Sequence, residues 1–428
     1  MISTIFVQIA AYRDPDLPAT LHNLIQRATQ PERLRFGICL QLAADDPPHW
    51  GTSAFPDHPH LKSIRFDATE SRGACWARRQ AQDVYGGEDF LLQIDSHMRA
   101  VEHWDDLLLK TWKECSDAHA VLSVYPNGFQ QPCRLQTSTL PVMAAAGFDS
   151  YGILKLRGIS RFQLPEEQPD RPIPGAFIAG GFLFGPGSIV SEVPYDPDLY
   201  FHGEEVAMSA RLWTSGFNIY APNRLLLFHL YKSQGTAAEH SATHWGDHSN
   251  WHDYNLHALK RVHTLLGSLN NAPASIRCLN DEHGELKSFG LGRKRSLHIY
   301  QQWAGVDFKT AEISQAARDA EDLREQVENL QQQALAFGEQ QTGAEVPSIR
   351  EMRDQFENSQ QLAQNLQRQL QQQQSQQGGQ QQGSSAQGSS GARQQIGGPR
   401  DGDQQRPGLG GRVTTDGNNL PWGNARSI

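Results

Sequence analysis

One short run in the sequence has residue types that suit a metal ion. Asp95-Ser96-His97 follows the apolar stretch FLLQI. A carboxylate and an imidazole on either side of one residue offer the oxygen and nitrogen ligands that Mn²⁺ accepts. An ion held there would neutralise the charge of a departing diphosphate. The same triplet also fits a turn with a capping Asp. Upstream lies RGACWAR. Here Gly73, beside Arg72, permits close backbone approach to a ligand. Arg78 suits a phosphate or a carboxylate, or a solvated helix face. Ala179-Gly180-Gly181-Phe182 places paired glycines inside an apolar stretch. Such a pair marks approach to a ligand or a tight packing contact. In FHGEE, Glu204 and Glu205 stand before a helix. They either complement the helix dipole or hold sugar hydroxyls and stabilise charge at an anomeric carbon. His229 in LLLFHLY reads as a core histidine or as a third metal ligand. HWGDHSNWHD clusters His244, His248, His252 and Asp253; it reads as zinc-type spacing or as the rim of a site.

These residues need a scaffold, and the chain alternates strand and helix signals. Thr4–Ala10, Leu34–Leu42, Leu61–Phe66, Phe90–Ile94, Ala120–Val124, Ala176–Phe184 and Leu225–Leu230 read as strands. Leu17, Leu21, Leu24, Ile25 and Ala28 recur at helical spacing. Gly73–Tyr85, Trp104–Trp112 and Trp251–Leu266 also read as helices, as does Glu204–Ser215 with Gly216 as its stop. Leu291–Trp303 closes the domain, and residues 130–175 read as loops and short strands. Alternating elements predict an α/β sandwich with a mainly parallel sheet. Ligands bind such sheets beyond the carboxyl ends of the strands, and Asp95 stands at one.

The chain has 428 residues, more than one core usually needs. The predicted boundaries are a catalytic domain over 1–306 and a heptad helix over 307–337. A linker over 338–348, a second heptad helix over 349–370 and a disordered Gln/Gly/Ser-rich tail over 371–428 follow. Ile313 through Phe337 and Ile349 through Leu370 carry the heptad positions. Coiled-coil homo-oligomerisation and helices lying on the domain are both consistent with them. A net charge of −9 argues against nucleic acid as a partner, since phosphate backbones are gripped by clustered Lys and Arg. The five cysteines form no CxxC pair, which fits reduced thiols. Met1 leads almost at once into IFVQIAAY without a basic leader, and no apolar run is long enough to span a bilayer. The expectation is a cytoplasmic protein without a membrane span.

Taken in order, the segments FVQIAAYRDPDLPATL, RGACWARRQAQ, GEDFLLQIDSHMR, AVLSVYP, VPYDPDLYFHGEEVAMSARLWTSGFNIYAPN and FGLGRKRSLHIY resemble cytoplasmic polypeptide N-acetylglucosaminyltransferases. Those enzymes modify hydroxyproline on a ubiquitin-ligase subunit in some protists and have many bacterial relatives. More distantly, the order RxG…AR, DSH, AGG, GE and a late His is similar to the mucin-type polypeptide N-acetylgalactosaminyltransferases. The resemblance covers residues 5 to about 307. It implies a GT-A fold and transfer from UDP-GlcNAc to a hydroxyl on a protein or glycan, with retention. It implies Mn²⁺ or Mg²⁺ held by Asp95, His97 and His229. Arg72, Gly73 and Arg78 would border the nucleotide, and Gly180 and Gly181 would line the sugar pocket. Glu204 would contact sugar hydroxyls, with Glu205 the second acid. Two rivals stand beside it: another UDP-sugar used in surface glycan assembly, and a non-catalytic sugar-nucleotide-binding scaffold. A nucleotidyltransferase would need a Gly-rich phosphate loop after the first strand, and AAYRDPD does not supply one.

Overall fold

The computed structural model describes residues 3–52, 55, 59–131, 133–231, 242–280 and 286–314. The heptad segments after residue 314 and the Gln-rich tail lie outside the described residues.

In chain order the strands are β1 Ile5–Tyr12, β2 Leu34–Leu42, β3 Leu61–Asp67, β4 Phe90–Asp95, β5 Met98–Ala100, β6 Ala120–Ser123, β7 Asn127–Gln130 and β8 Arg134–Leu135. They continue with β9 Thr139–Phe148, β10 Leu154–Gln163, β11 Ile173–Gly175, β12 Phe182–Pro186, β13 Asn218–Ala221, β14 Leu227–His229, β15 Val306–Asp307 and β16 Glu312–Ile313. The helices are α1 Leu17–Arg27, α2 Ala74–Gln82, α3 Trp104–Glu114, α4 Ile189–Glu192, α5 Glu204–Thr214, α6 His244–Asp247, α7 Trp251–Leu266, α8 Ala274–Arg277 and α9 Leu297–Ala304.

Eight strands form the main sheet in the order β11-β13-β6-β12-β4-β1-β2-β3. Strands β3, β2, β1 and β4 run parallel, and β12 lies antiparallel between β4 and β6. Both faces are covered, so the central strands are apolar on both sides. Ile5, Val7 and Ile9 of β1 pack with Leu17, Leu21 and Leu24 of α1 and with Trp104 and Leu108 of α3. Phe6, between them in sequence, points to the opposite layer with Cys75 of α2, Met208 of α5, Leu259 of α7 and Tyr300 of α9. Burying a side chain of this size contributes roughly 1.5–3 kcal/mol, so the alternation along β1 sets which layer each helix joins.

β1 pairs with β2 on one side and with β4 on the other. Strand order therefore reverses between β1 and β4, and a crevice opens beyond their carboxyl ends. Asp95, the last residue of β4, stands opposite Ala10 at that point.

Three expectations need correction. The stretch read as loops and short strands over 130–175 contains two longer, ten-residue strands, β9 and β10, paired as an antiparallel hairpin. Register shifts at Lys155/Leu156 and Ser160/Phe162 interrupt the period-two pattern that marks a strand. The strand read over Ala176–Phe184 begins only at Phe182. Ahead of it Ala179 to Phe182 make a tight turn, with Phe182 N–H donating to Ala179 O at 3.3 Å. Finally, residues 307–313 do not start a helix. They form the β15–β16 hairpin, whose turn is held by the Asp307 carboxylate accepting from Lys309 N and Thr310 N at 2.7 and 3.1 Å. Ile313 packs against the domain core, so its apolar side chain serves that core.

Candidate active site

The site begins at the corner where β4 turns into β5. Asp95 ends one strand, and Met98 begins a strand of a second, smaller sheet with the order β5-β14-β7-β8. In that sheet His229 lies opposite Met98. A residue 134 positions after Asp95 in sequence thus arrives beside the Asp95–His97 corner. The ligand atoms that Asp95, His97 and His229 offer all lie within 4.8 Å of one another. The two imidazoles meet edge to face, 4.7 Å between centroids. His229 Nε2 stands 3.3 Å from Asp95 Oδ2, without the alignment of a hydrogen bond. Asp95 Oδ2 and both His229 ring nitrogens are buried with no hydrogen-bond partner. Such buried polar atoms call for a ligand, and one carboxylate with two imidazoles fits Mn²⁺.

The electrostatics agree with this fit. Burial alone would lift the Asp95 carboxyl, but His229 and Arg78 beside it hold it well below the usual carboxylate range. Burial lowers the His229 imidazole, against the pull of Asp95. The pair is therefore a carboxylate and a neutral imidazole, the forms that ligate metal.

Arg78 lies on the inner face of α2. It is only 4% exposed, which excludes the solvated-face reading. Its Nη2 donates to Asp95 Oδ1 at 3.0 Å, and its Nη1 pairs with Glu204 Oε1. Tyr195 OH donates to the same Glu204 oxygen at 2.8 Å. Gln93 Nε2 reaches Tyr195 OH at 2.6 Å and Gly180 O at 2.7 Å, and Gln8 Nε2 donates to Gln93 Oε1 at 3.0 Å. One buried chain of polar groups thus joins β1, β4, the glycine turn, α5 and α2.

The paired glycines are explained by distance. β12 is antiparallel to β4 with Phe182 opposite Ile94, so Gly181 falls beside Asp95. A Cβ on Gly181 would lie 2.5 Å from Asp95 Oδ2, and one on Gly180 would lie 3.1 Å from Glu204 Oε1. Gly73 has φ +104°, and a Cβ there would meet the Tyr200 ring at 2.7 Å. It caps α2 and positions Arg78 through that helix. Arg72 is exposed beside it.

The two acids before α5 differ. Glu204 is 3% exposed and bound up with Arg78 and Tyr195. Glu205 is half-buried, accepting from Gly180 N at 2.8 Å and from Tyr125 OH. Burial pushes the Glu205 carboxyl up to about 7, against both hydrogen bonds. A carboxyl whose folded pKa is raised favours folding most below its unfolded pKa, and that contribution is lost as pH rises through about 7. The expected result is that the metal-free wild type melts at lower temperature as pH goes from about 6 to about 8. Glu205→Gln should flatten this slope. Equal slopes in the two proteins would refute the shift.

The second histidine cluster does not form a metal centre. His244 and His248 stack with centroids 3.9 Å apart. His244 Nδ1 pairs with Tyr200 OH at 2.8 Å, and His248 Nε2 with Ala68 O at 3.0 Å. His252 and Asp253 are exposed on α7. Among the described residues, Asp95, His97 and His229 are the one such group that converges.

Several site residues escaped the sequence reading. Asp14, in the segment AAYRDPD, accepts from His97 Nδ1 at 2.6 Å. Tyr125 and Tyr195 lie within the segments AVLSVYP and VPYDPDLY, but neither stands out there as a site residue. Gln8 and Gln93 did leave a signal: each is the one polar residue among apolar neighbours in FVQIA and FLLQI, and the two stand opposite each other in register.

No curated protein matches the sequence. The solved structure of GalNAc-T7 with UDP, GalNAc and Mn²⁺ is similar at TM-score 0.50 and 13% identity, over 70% of this chain and 56% of that one. The chain thus spans little more than half of GalNAc-T7. Two structures of S. aureus TarS 1–349 are more distant. One, without a named ligand, gives TM-score 0.39 at 11% identity, over 67% of this chain and 70% of that one. The other, with UDP-GlcNAc, gives TM-score 0.37 at 12% identity, over 65% and 69%. The fold is of the GT-A type. The family model described as "Glycosyltransferase (GlcNAc)" matches residues 4–58 and 52–310. That match covers well over half of the sequence and every residue of the site above, and the chain belongs to this family of glycosyltransferases.

Proposed function

We propose that the protein transfers N-acetylglucosamine from UDP-GlcNAc to a hydroxyl acceptor on a protein or glycan, depends on Mn²⁺ or Mg²⁺, and retains configuration at the anomeric carbon. The observation that carries this reading is the convergence of Asp95, His97 and His229 at the switch point between β1 and β4. A divalent ion bound by these residues supplies Lewis-acid neutralisation of the leaving diphosphate. The GT-A fold, shared with a structure that holds UDP, GalNAc and Mn²⁺, supports the same donor class.

The chain's own residues do the rest. Arg78 locks Asp95 and Glu204 in one geometry, so neither carboxylate must reorganise when the donor enters. The turn at Gly180 and Gly181 brings backbone where side chains would collide with Asp95 and Glu204. This makes room for the sugar against the acids. Glu204 is assigned to the sugar hydroxyls. Glu205, held by Tyr125 and Gly180, is the second acid. Arg72 and the Gly73 backbone border the nucleotide.

The test is UDP release by the purified protein from a panel of UDP-sugars, with and without Mn²⁺. The expected result is release from UDP-GlcNAc that requires Mn²⁺. Preference for another UDP-sugar would reassign the donor. UDP binding without release from any donor, in folded protein, would favour a non-catalytic scaffold.

A further inference from the structure

The turn between β1 and α1 holds the corner that carries Asp95 and His97. Asp14 is 7% exposed. Its Oδ1 accepts from Asp16 N at 2.9 Å, a local turn contact. Its Oδ2 does something else: it accepts from Ser96 Oγ at 2.5 Å and pairs with His97 Nδ1 at 2.6 Å. The remaining corner residues are gripped by the same segment. Thr20 Oγ1 donates to Ser96 O at 2.8 Å and accepts from Met98 N at 2.9 Å. Arg99 makes a two-pronged pair with Asp16, at 2.7 and 2.8 Å. Every residue from Ser96 to Arg99 is thus fixed by Asp14, Asp16 or Thr20.

We propose that Asp14 is a positioning residue for the metal centre, acting through His97. With Nδ1 committed to Asp14, the ligand atom that His97 contributes is Nε2. A carboxylate facing the far nitrogen of a ligating imidazole fixes the tautomer, orients the ring and raises its basicity. Oδ1 closes the turn, while Oδ2 holds both the Ser96 hydroxyl and the His97 ring. The second oxygen is aimed at the one residue of the corner that serves as an imidazole ligand. The DPD of AYRDPDLPAT is therefore part of the metal site, although none of its side chains ligates.

The inference rests on the metal reading above, and its test separates the two. Mn²⁺ binding to the full chain is followed by electron paramagnetic resonance, together with the visible spectrum of Co²⁺-loaded protein and the melting temperature without metal. Asp14→Asn keeps an oxygen for Asp16 N and removes the charge. The expected result is Mn²⁺ binding weaker by about 10–100-fold and an altered Co²⁺ spectrum. Wild-type and variant Mn²⁺ affinities within about twofold would overturn the inference and leave the metal reading standing; that is also the outcome if Asp14 is merely structural and only the melting temperature falls. No Mn²⁺ binding by wild type would overturn both. Should Asp14→Asn fail to fold, Asp14→Glu, which retains the charge and displaces it, replaces it with the same expected loss and the same overturning result.

Discussion

Asp95→Ala should lower UDP-GlcNAc turnover by about 10³-fold or more while the protein stays folded. The side chain does three things at once. On the proposed reading it would offer Oδ2 to the metal; it also accepts from Arg78 at 3.0 Å and sits 3.3 Å from His229. Losing a ligand of a divalent ion removes several kcal/mol of charge stabilisation on the leaving group. Each ~1.4 kcal/mol is a factor of ten in rate. The fold should survive because Arg78 keeps its pairing with Glu204, so the substitution strands no buried charge without a partner. The measurement is turnover under saturating donor and Mn²⁺, alongside circular dichroism and melting. Turnover within about tenfold of wild type would sink the metal assignment.

Arg78→Met should have the largest effect on stability. Arg78 is the shared cation of two buried carboxylates, Asp95 and Glu204. Its guanidinium is held well above its ordinary pKa: burial opposes the charge, and Glu204, Tyr195 and Asp95 together outweigh it. Methionine fills a similar volume but leaves Glu204, 3% exposed, with Tyr195 as its remaining donor. Removing one member of a buried ion pair costs about 3–5 kcal/mol, because the abandoned charge stays desolvated. Urea denaturation of the metal-free protein reads this directly. Adding Glu204→Gln to Arg78→Met should recover part of the loss, since the stranded charge then disappears. A single variant within about 1 kcal/mol of wild type would contradict the pairing, as a surface ion pair is worth no more than that.

The sequence by itself determined the local elements that repeat a simple period. β2 runs from Leu34 to Leu42 as its mostly apolar sequence, LRFGICLQL, predicts. α7 spans Trp251–Leu266 and ends at Gly267, φ +65°. α5 stops just before Gly216, φ +96°. Asp95 stands at the carboxyl end of a buried parallel strand. These features follow from contacts between near neighbours in sequence, where burial period and backbone freedom suffice.

The tertiary structure decided what those elements meet. His229 is a core histidine by its neighbours and reaches Asp95 and His97 only because β14 pairs with β5 in one register; a shift by one residue would turn it to the opposite face. Gly181 is forced to be glycine by the antiparallel insertion of β12 beside β4, a pairing that no local pattern encodes. Arg78 looked solvated because its helix is short and polar, yet α2 lies over β1 and turns that side chain inward. Asp14 closes a local turn with one oxygen, and its second oxygen meets His97 across 83 positions of sequence. In each case the residue type was visible early, while its partner depended on strand order and register, which long-range packing sets.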